Sequence, residues 1–169
     1  MSYDSRPDTH KHQARVWELM DAVSEELDER AASHDNSKTE PPELAIFNEF
    51  TPKLRDSTYG SDEYKGFLAA MGEGLVHHYA HNRHHPEHFE NGINGMTLVD
   101  LVEMLADWKA ATERHDDGSL ARSLEIQRER FGISPQLEAV LRNTALHFGW
   151  LTADDDYAKL REGSDRKDE

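Results

Sequence analysis

Residues 97–111 read TLVDLVEMLADWKAA, and their patterning decides the fold. Leu98, Val99, Leu101, Val102, Met104, Leu105 and Trp108 set apolar side chains nearly all round a helix, the pattern of a buried element. Asp100, Glu103 and Asp107 break that coat as a narrow acidic stripe, three and four residues apart. Burying an ionised carboxylate is costly unless it is paired or binds a metal. The stripe is therefore either a strip of solvated surface or the mark of a site.

Working outward toward the N-terminus, NGINGM (91–96) is a glycine-rich turn, and before it HHYAHNRHHPEH (77–88) gathers six of the chain's eleven histidines. A helix is predicted from Ser61, as N-cap after a Tyr59-Gly60-Ser61 turn, to about Asn82. It carries Tyr64, Leu68, Met71 and Leu75 on one face, and the next position on that face is His78. His85 lies seven residues further, but Pro86 disfavours helical geometry there. His84 and His85 are thus expected at a helix end or just past it.

Further back, Leu44, Phe47, Phe50 and Leu54 belong to a short helix opened by Pro41-Pro42, after a break at Asp35-Asn36-Ser37. The first helix is predicted over about Thr9–Ala32, with Val16, Leu19, Met20, Val23 and Leu27 as its apolar stripe. Extended one turn backwards the stripe meets His12, and seven residues forwards it meets His34, so both are expected to look inward. On the C-terminal side two more helices follow, about 119–131 and from Ser134-Pro135 to near Phe148-Gly149. No stretch alternates as a strand. The expectation is an all-α, single-domain bundle of about five to seven helices over 9–150, with polar terminal segments at 1–8 and 151–169.

A chain of 169 residues suits one domain with a proper core. Its net charge of −15 repels phosphate backbones and anionic lipid, which argues against a nucleic-acid polymer or a membrane as main partner. No apolar run is long enough to span a bilayer, and the first residues, MSYDSRPDTHKH, lack a secretory h-region. With no cysteine there is no disulfide framework and no thiolate site. A cytoplasmic protein is expected, with a homo-oligomer left open. If its substrate is a small anion, something local must reverse the field, and a bound metal ion would.

The inward-facing polar residues, in chain order, are His12, His34, Asp35, His78, His84 with His85, and Asp107. His10 stands as the alternative to His12. Oxygen and imidazole donors suit manganese, iron, cobalt, zinc or magnesium, one or two ions. Asn82 and Arg83 lie where they could reach a phosphate. Glu103 could hold a ligand imidazole, act as a general base, or be helix-surface charge. His81 and His88 read as solvated or supporting, His77 and His147 as ordinary, and Trp108 as core.

The order His…His-Asp…Asp on a helical scaffold resembles the HD superfamily of metal-dependent phosphohydrolases. More closely, HDNSK (34–38), the histidine tract and EMLADWKAATERH (103–115) resemble an uncharacterised family of small proteins common in bacteriophages and bacteria, over roughly 9–150. The first resemblance implies His12, His34, Asp35 and Asp107 as metal ligands. Many single-metal relatives of that superfamily carry a glutamate three residues after the aspartate, where this chain has Lys38. The HDxxK pattern resembles its two-metal branch, which adds histidines that His78, His84 and His85 could supply. It implies hydrolysis of a nucleotide or related small phosphoester by metal-activated water, with Asp35 bridging and Lys38 neutralising phosphoryl charge. Two alternatives stay open. One is a diiron oxygenase similar to myo-inositol oxygenase; the other is a non-catalytic, metal-stabilised binding protein. A phage origin would imply the host cytoplasm.

Overall fold

Two kinds of interior organise the computed structural model, which describes residues 3–58, 60–114 and 118–152. Tyr59 of the expected turn, His115 of the last motif and residues 153–169 of the expected C-terminal segment lie outside the described residues. The described residues form seven α-helices and no strand. They are α1 (Arg6–Ser33), α2 (Glu43–Arg55), α3 (Asp62–Ala70), α4 (Gly72–His81), α5 (Leu98–Thr112), α6 (Leu120–Phe131) and α7 (Pro135–His147). Short 3₁₀ turns at Asn36–Thr39, Pro86–His88 and Gly92–Gly95 join them. This is the expected all-α bundle.

Local chemistry sets most of the helix starts. Ser61, Thr97, Ser119 and Ser134 each accept a backbone N–H of the first turn. Thr97 and Asp100 do so reciprocally as a capping box. The single helix expected over 61–82 is instead two, because the chain breaks at Met71-Gly72, where Gly72 takes a φ of +47°.

The hydrocarbon interior lies between α5, α6 and α7. Met104, Leu105 and Trp108 meet Leu120, Ala121 and Leu124 of α6, with Leu141 and Ala145 of α7 beneath them. Leu151 closes this core, so the packed unit runs one residue beyond 150. The all-round coat of α5 is not fully used: Leu98 and Val102 are exposed, and the acidic stripe turns inward instead.

The second interior is polar. Between α2, α4 and the turn after α4, the buried side chains are Glu43, His78, Asn82 and His84. The register of α2 is shifted from the expected one, because Glu43 is buried completely while Leu44 is 39% exposed. Helices α2 and α4 approach closely at Gly74, where a Cβ would fall 2.5 Å from Ile46 Cδ1.

The first helix departs most from expectation. No residue of α1 is buried, and Val16, Leu19, Met20 and Val23 are exposed. Only its C-terminal turns engage the bundle, chiefly α5. No helix of the described residues is long and apolar enough to cross a membrane.

Candidate metal centre

The end of α1 delivers the first two residues of the site. His34 is its C-cap, and Asp35 follows with φ +58°, the one non-glycine residue with positive φ among those described. Aspartate tolerates the left-handed region better than most residues, yet the turn is costly, and such turns concentrate at functional sites. It lets Asp35 present its two oxygens in different directions. Oδ2 lies 3.5 Å from His34 Nε2, and Oδ1 lies 3.5 Å from His78 Nε2 and 3.6 Å from His84 Nε2.

The tract 77–88 supplies the imidazoles. His78 points inward from the last turn of α4, and Pro86 ends helical geometry, so His84 and His85 fold back onto it. His78 Nε2 and His85 Nε2 stand 2.9 Å apart. At that separation both nitrogens could serve one ion. Asp107, on α5, completes the opposite side at 3.7 Å from His34 Nε2.

Two groups of donors result, each with its ligand atoms within 4.8 Å of one another. Asp35, His78, His84 and His85 form one; His34, His84 and Asp107 form the other. Either could hold a metal ion, and His84 belongs to both. His84 Nε2 and Asp35 Oδ1 are buried and have no hydrogen-bond partner. Buried polar atoms are nearly always satisfied, so this pair fits a site built to take a cation.

Carboxylates behind the imidazoles fix their orientation. Glu103 Oε1 accepts from His34 Nδ1 at 2.8 Å, and His84 Nδ1 lies 3.0 Å from the same oxygen, off the line of a good hydrogen bond. Glu103 Oε2 accepts from Arg30 Nε at 2.6 Å. On the other side Glu43 accepts from His77 Nδ1 at 2.7 Å, His78 Nδ1 at 2.9 Å and Ser37 Oγ at 3.0 Å. Tying Nδ1 of His34 to Glu103 and Nδ1 of His78 to Glu43 turns their Nε2 atoms toward the centre, as a metal-binding histidine requires.

The local field favours a cation at one end and neutral imidazole at the other. Asp107, Glu103 and the charge of Asp35 push the His34 pKa up to about 10 against the opposing effect of burial. Burial, with the neighbouring imidazoles His84 and His78, pushes His85 down to about 2. Burial works to raise Asp107, but the His34 hydrogen bond and the charges of His84 and His85 outweigh it and hold it at about 2. Burial likewise opposes ionisation of Glu103, and His34, His84 and Arg30 hold it below the ordinary carboxylate range.

Six of the seven residues expected as ligands therefore converge: His34, Asp35, His78, His84, His85 and Asp107. His12 does not. It is exposed in the second turn of α1, 22 residues before His34, which is roughly 33 Å along the helix. Its stripe faces solvent because α1 overhangs the bundle, and His10 is equally exposed.

Asn82 and Arg83 are placed for structure and not for a phosphate. Asn82 Nδ2 donates to Ser37 Oγ and to the His78 carbonyl, both at 2.8 Å. Arg83 holds Asp100 through Nε at 3.1 Å and a second nitrogen at 3.0 Å, and lies over the Phe89 ring. Neither lines the cavity described below. Glu103, expected as a catalytic candidate, also stands outside it, with both oxygens engaged behind the imidazoles. Lys38 Nζ contacts Asp35 Oδ2 at 2.5 Å and lies 4.9 Å above the Phe47 ring. His81 and His88 donate to, or sit against, main-chain oxygens of His77 and Tyr79.

Two contributors were not anticipated. Glu43 follows Pro41-Pro42 and shares a face with Phe47 and Phe50, four and seven residues on, so a charge on an apolar face was its signal. Arg30 carries the same signal on α1, three residues after Leu27.

A cavity of about 500 Å³ opens beside the cluster. Asp35, Lys38, His78, His85 and Asp107 line one end. Phe47, Tyr64, Tyr79, Trp108 and Phe131 form an aromatic wall beyond them, with Arg55, Arg114 and Arg130 adding positive charge to the lining. The volume is in the usual range of small-molecule sites.

No curated protein matches the chain, and no solved structure does. A family of unknown function, DUF5662, matches residues 1–147. That span takes in α1 to α7 and every residue of the cluster, and the chain belongs to this family.

Proposed function

We propose that the protein is a metal-dependent phosphohydrolase acting on a nucleotide or a related small phosphoester. One observation carries the reading. The buried, unpartnered pair His84 Nε2 and Asp35 Oδ1 faces two further imidazole nitrogens at the end of a cavity that also holds a lysine. The resemblance of HDNSK and the later aspartate to the HDxxK branch of the HD superfamily points the same way.

When bound, a divalent ion at such a cluster acidifies a water and polarises a phosphoryl oxygen. The chain's own residues do the rest. Asp35 would hold an ion through Oδ1 together with His78, His84 and His85, while its Oδ2 lies toward His34 of the other group. Glu43 and Glu103 hold the imidazoles with their Nε2 lone pairs inward. Lys38 exchanges Asp35 Oδ2 for a phosphoryl oxygen and neutralises charge as it accumulates there. The aromatic wall excludes water and receives a flat apolar body such as a nucleobase, while the lining arginines draw an anion into a protein of charge −15.

The test starts with metal content per chain on untagged protein never exposed to a nickel column, beside a His84→Ala, Asp35→Ala variant. One to two equivalents in the parent, lost in the variant, are expected, followed by phosphate release from a panel of nucleotides and aryl phosphates. A parent that takes up no manganese, iron, cobalt, zinc or magnesium overturns the reading. Iron alone, with oxygen consumption and no phosphate release, replaces it with an oxygenase. Bound metal with neither activity leaves a metal-stabilised binding protein.

A further inference from the structure

Helix α1 is 28 residues long, roughly 42 Å, and none of its residues is buried. Arg30 fastens its end to α5 through Asp100 and Glu103, and Leu27 nearby is half-buried. Upstream on that same face, Val16, Leu19, Met20 and Val23 are 38%, 53%, 68% and 49% exposed, with Trp17 beside them at 66%. Scattered apolar residues on a surface are ordinary, but five large ones contiguous over two turns mark an interaction surface.

Charge identifies what covers it. Residues 6–15 carry Arg6, Lys11 and Arg15 against Asp8 alone. Residues 16–29 carry Glu18, Asp21, Glu25, Glu26, Asp28 and Glu29, with no lysine or arginine. A uniformly basic partner would be repelled by the first half, and a uniformly acidic one by the second. A parallel copy would set acid against acid. An antiparallel copy lets stripe meet stripe about Met20-Asp21, sets residues 6–15 beside the acidic Glu26, Asp28 and Glu29, and leaves Glu18, Asp21 and Glu25 on the face away from the stripe. Arg15 and Glu26 are eleven residues apart, three turns, and so lie on the same flank of the stripe. A two-fold axis between antiparallel helices brings like flanks together.

We propose that the protein is a two-fold homodimer held by antiparallel α1 helices, with Arg15 of each chain against Glu26 of the partner subunit. The interface is isologous and closes at two copies. Because α1 ends at His34-Asp35, the two metal centres stand at opposite ends of the helix pair. This inference does not depend on the chemistry of those centres.

Sedimentation equilibrium tests it. The parent is expected at twice the chain mass of 19.4 kDa, and Met20→Lys with Val23→Lys at one chain mass with its helical circular dichroism retained. Arg15→Glu and Glu26→Arg each weaken the dimer several-fold, and the two together restore it. In a parallel pair positions 15 and 26 stay eleven residues apart along the helices, and the double substitution restores nothing. A parent that is monomeric at every concentration, a dimer that survives the lysine substitutions, or a double variant no better than the singles overturns the proposal.

Discussion

Between α5, α6 and α7 the buried side chains are hydrocarbon: Leu105, Leu124, Leu141 and their neighbours. Between α2, α4 and the histidine turn they are Glu43, His78, Asn82 and His84. Both interiors exclude water, but they hold together by different physics. The first gains from area removed from water, which is non-directional and tolerates substitutions that conserve volume. The second contributes only while each donor meets its acceptor, since an unpartnered buried charge costs more than the pair ever returned. One interior makes the protein fold. The other gathers residues that could hold a metal ion.

The contrast can be broken most sharply at Glu43. Its replacement by alanine strips the partner from His77, His78 and Ser37 together, and a loss of about 3–5 kcal/mol is expected in urea unfolding of metal-free protein. A loss within experimental error would mean that the polar interior is not coupled as described.

Leu124→Ala, in the hydrocarbon interior, is expected to cost about 3 kcal/mol while leaving metal stoichiometry unchanged. Metal lost alongside stability would show that the two interiors are one unit. Glu103→Gln should behave in the opposite sense. Metal affinity falls about 10–100-fold, read by competition with a chromogenic chelator, because His34 and His84 lose their orienting carboxylate. Unchanged affinity would remove Glu103 from the positioning role.

The smallest effect separates the interiors by pH. Glu103 and Asp100 are both held below their ordinary values. For Asp100, burial opposes ionisation, and Arg83, Thr97 and Arg30 outweigh it. A carboxylate depressed in the folded state stabilises above its unfolded pKa of about 4, and that contribution is lost as pH falls through the depressed value. Metal-free protein should therefore unfold at lower urea near pH 3 than near pH 6. Leu124→Ala should shift both midpoints in parallel, since none of the described side chains buried in its interior titrates. A pH response altered by that substitution would contradict the division.

What the sequence disclosed follows the same line. Helix periodicity located α5, α6 and α7 within a residue or two, because local propensity and packing agree there. The break at Gly72 was hidden, since Met71 and Leu75 keep the apolar face in step across it. His34, Asp35, His78, His84, His85 and Asp107 were legible as residue types on inward faces of different helices. His12 misled for the reason the α1 stripe did: an apolar face announces that something covers it, not what. Glu43 and Arg30 escaped notice because each looks like surface charge until the carboxylate or guanidinium opposite is known.

Asp100 deserves a last consideration as a shared node. Its side chain closes the capping box of α5 through Thr97, grips Arg83 from the histidine turn and meets Arg30 from the end of α1 at 2.9 Å. Three segments distant in the chain are thereby written into one ionic triplet. Losing the carboxylate leaves Arg83 only the Phe89 ring and Arg30 only Glu103 and Glu26, and losing one arginine leaves the other to balance Asp100 alone. Positions 30, 83 and 100 can then drift only as a set. In related chains they should change together or not at all, a signature of shape rather than of catalysis.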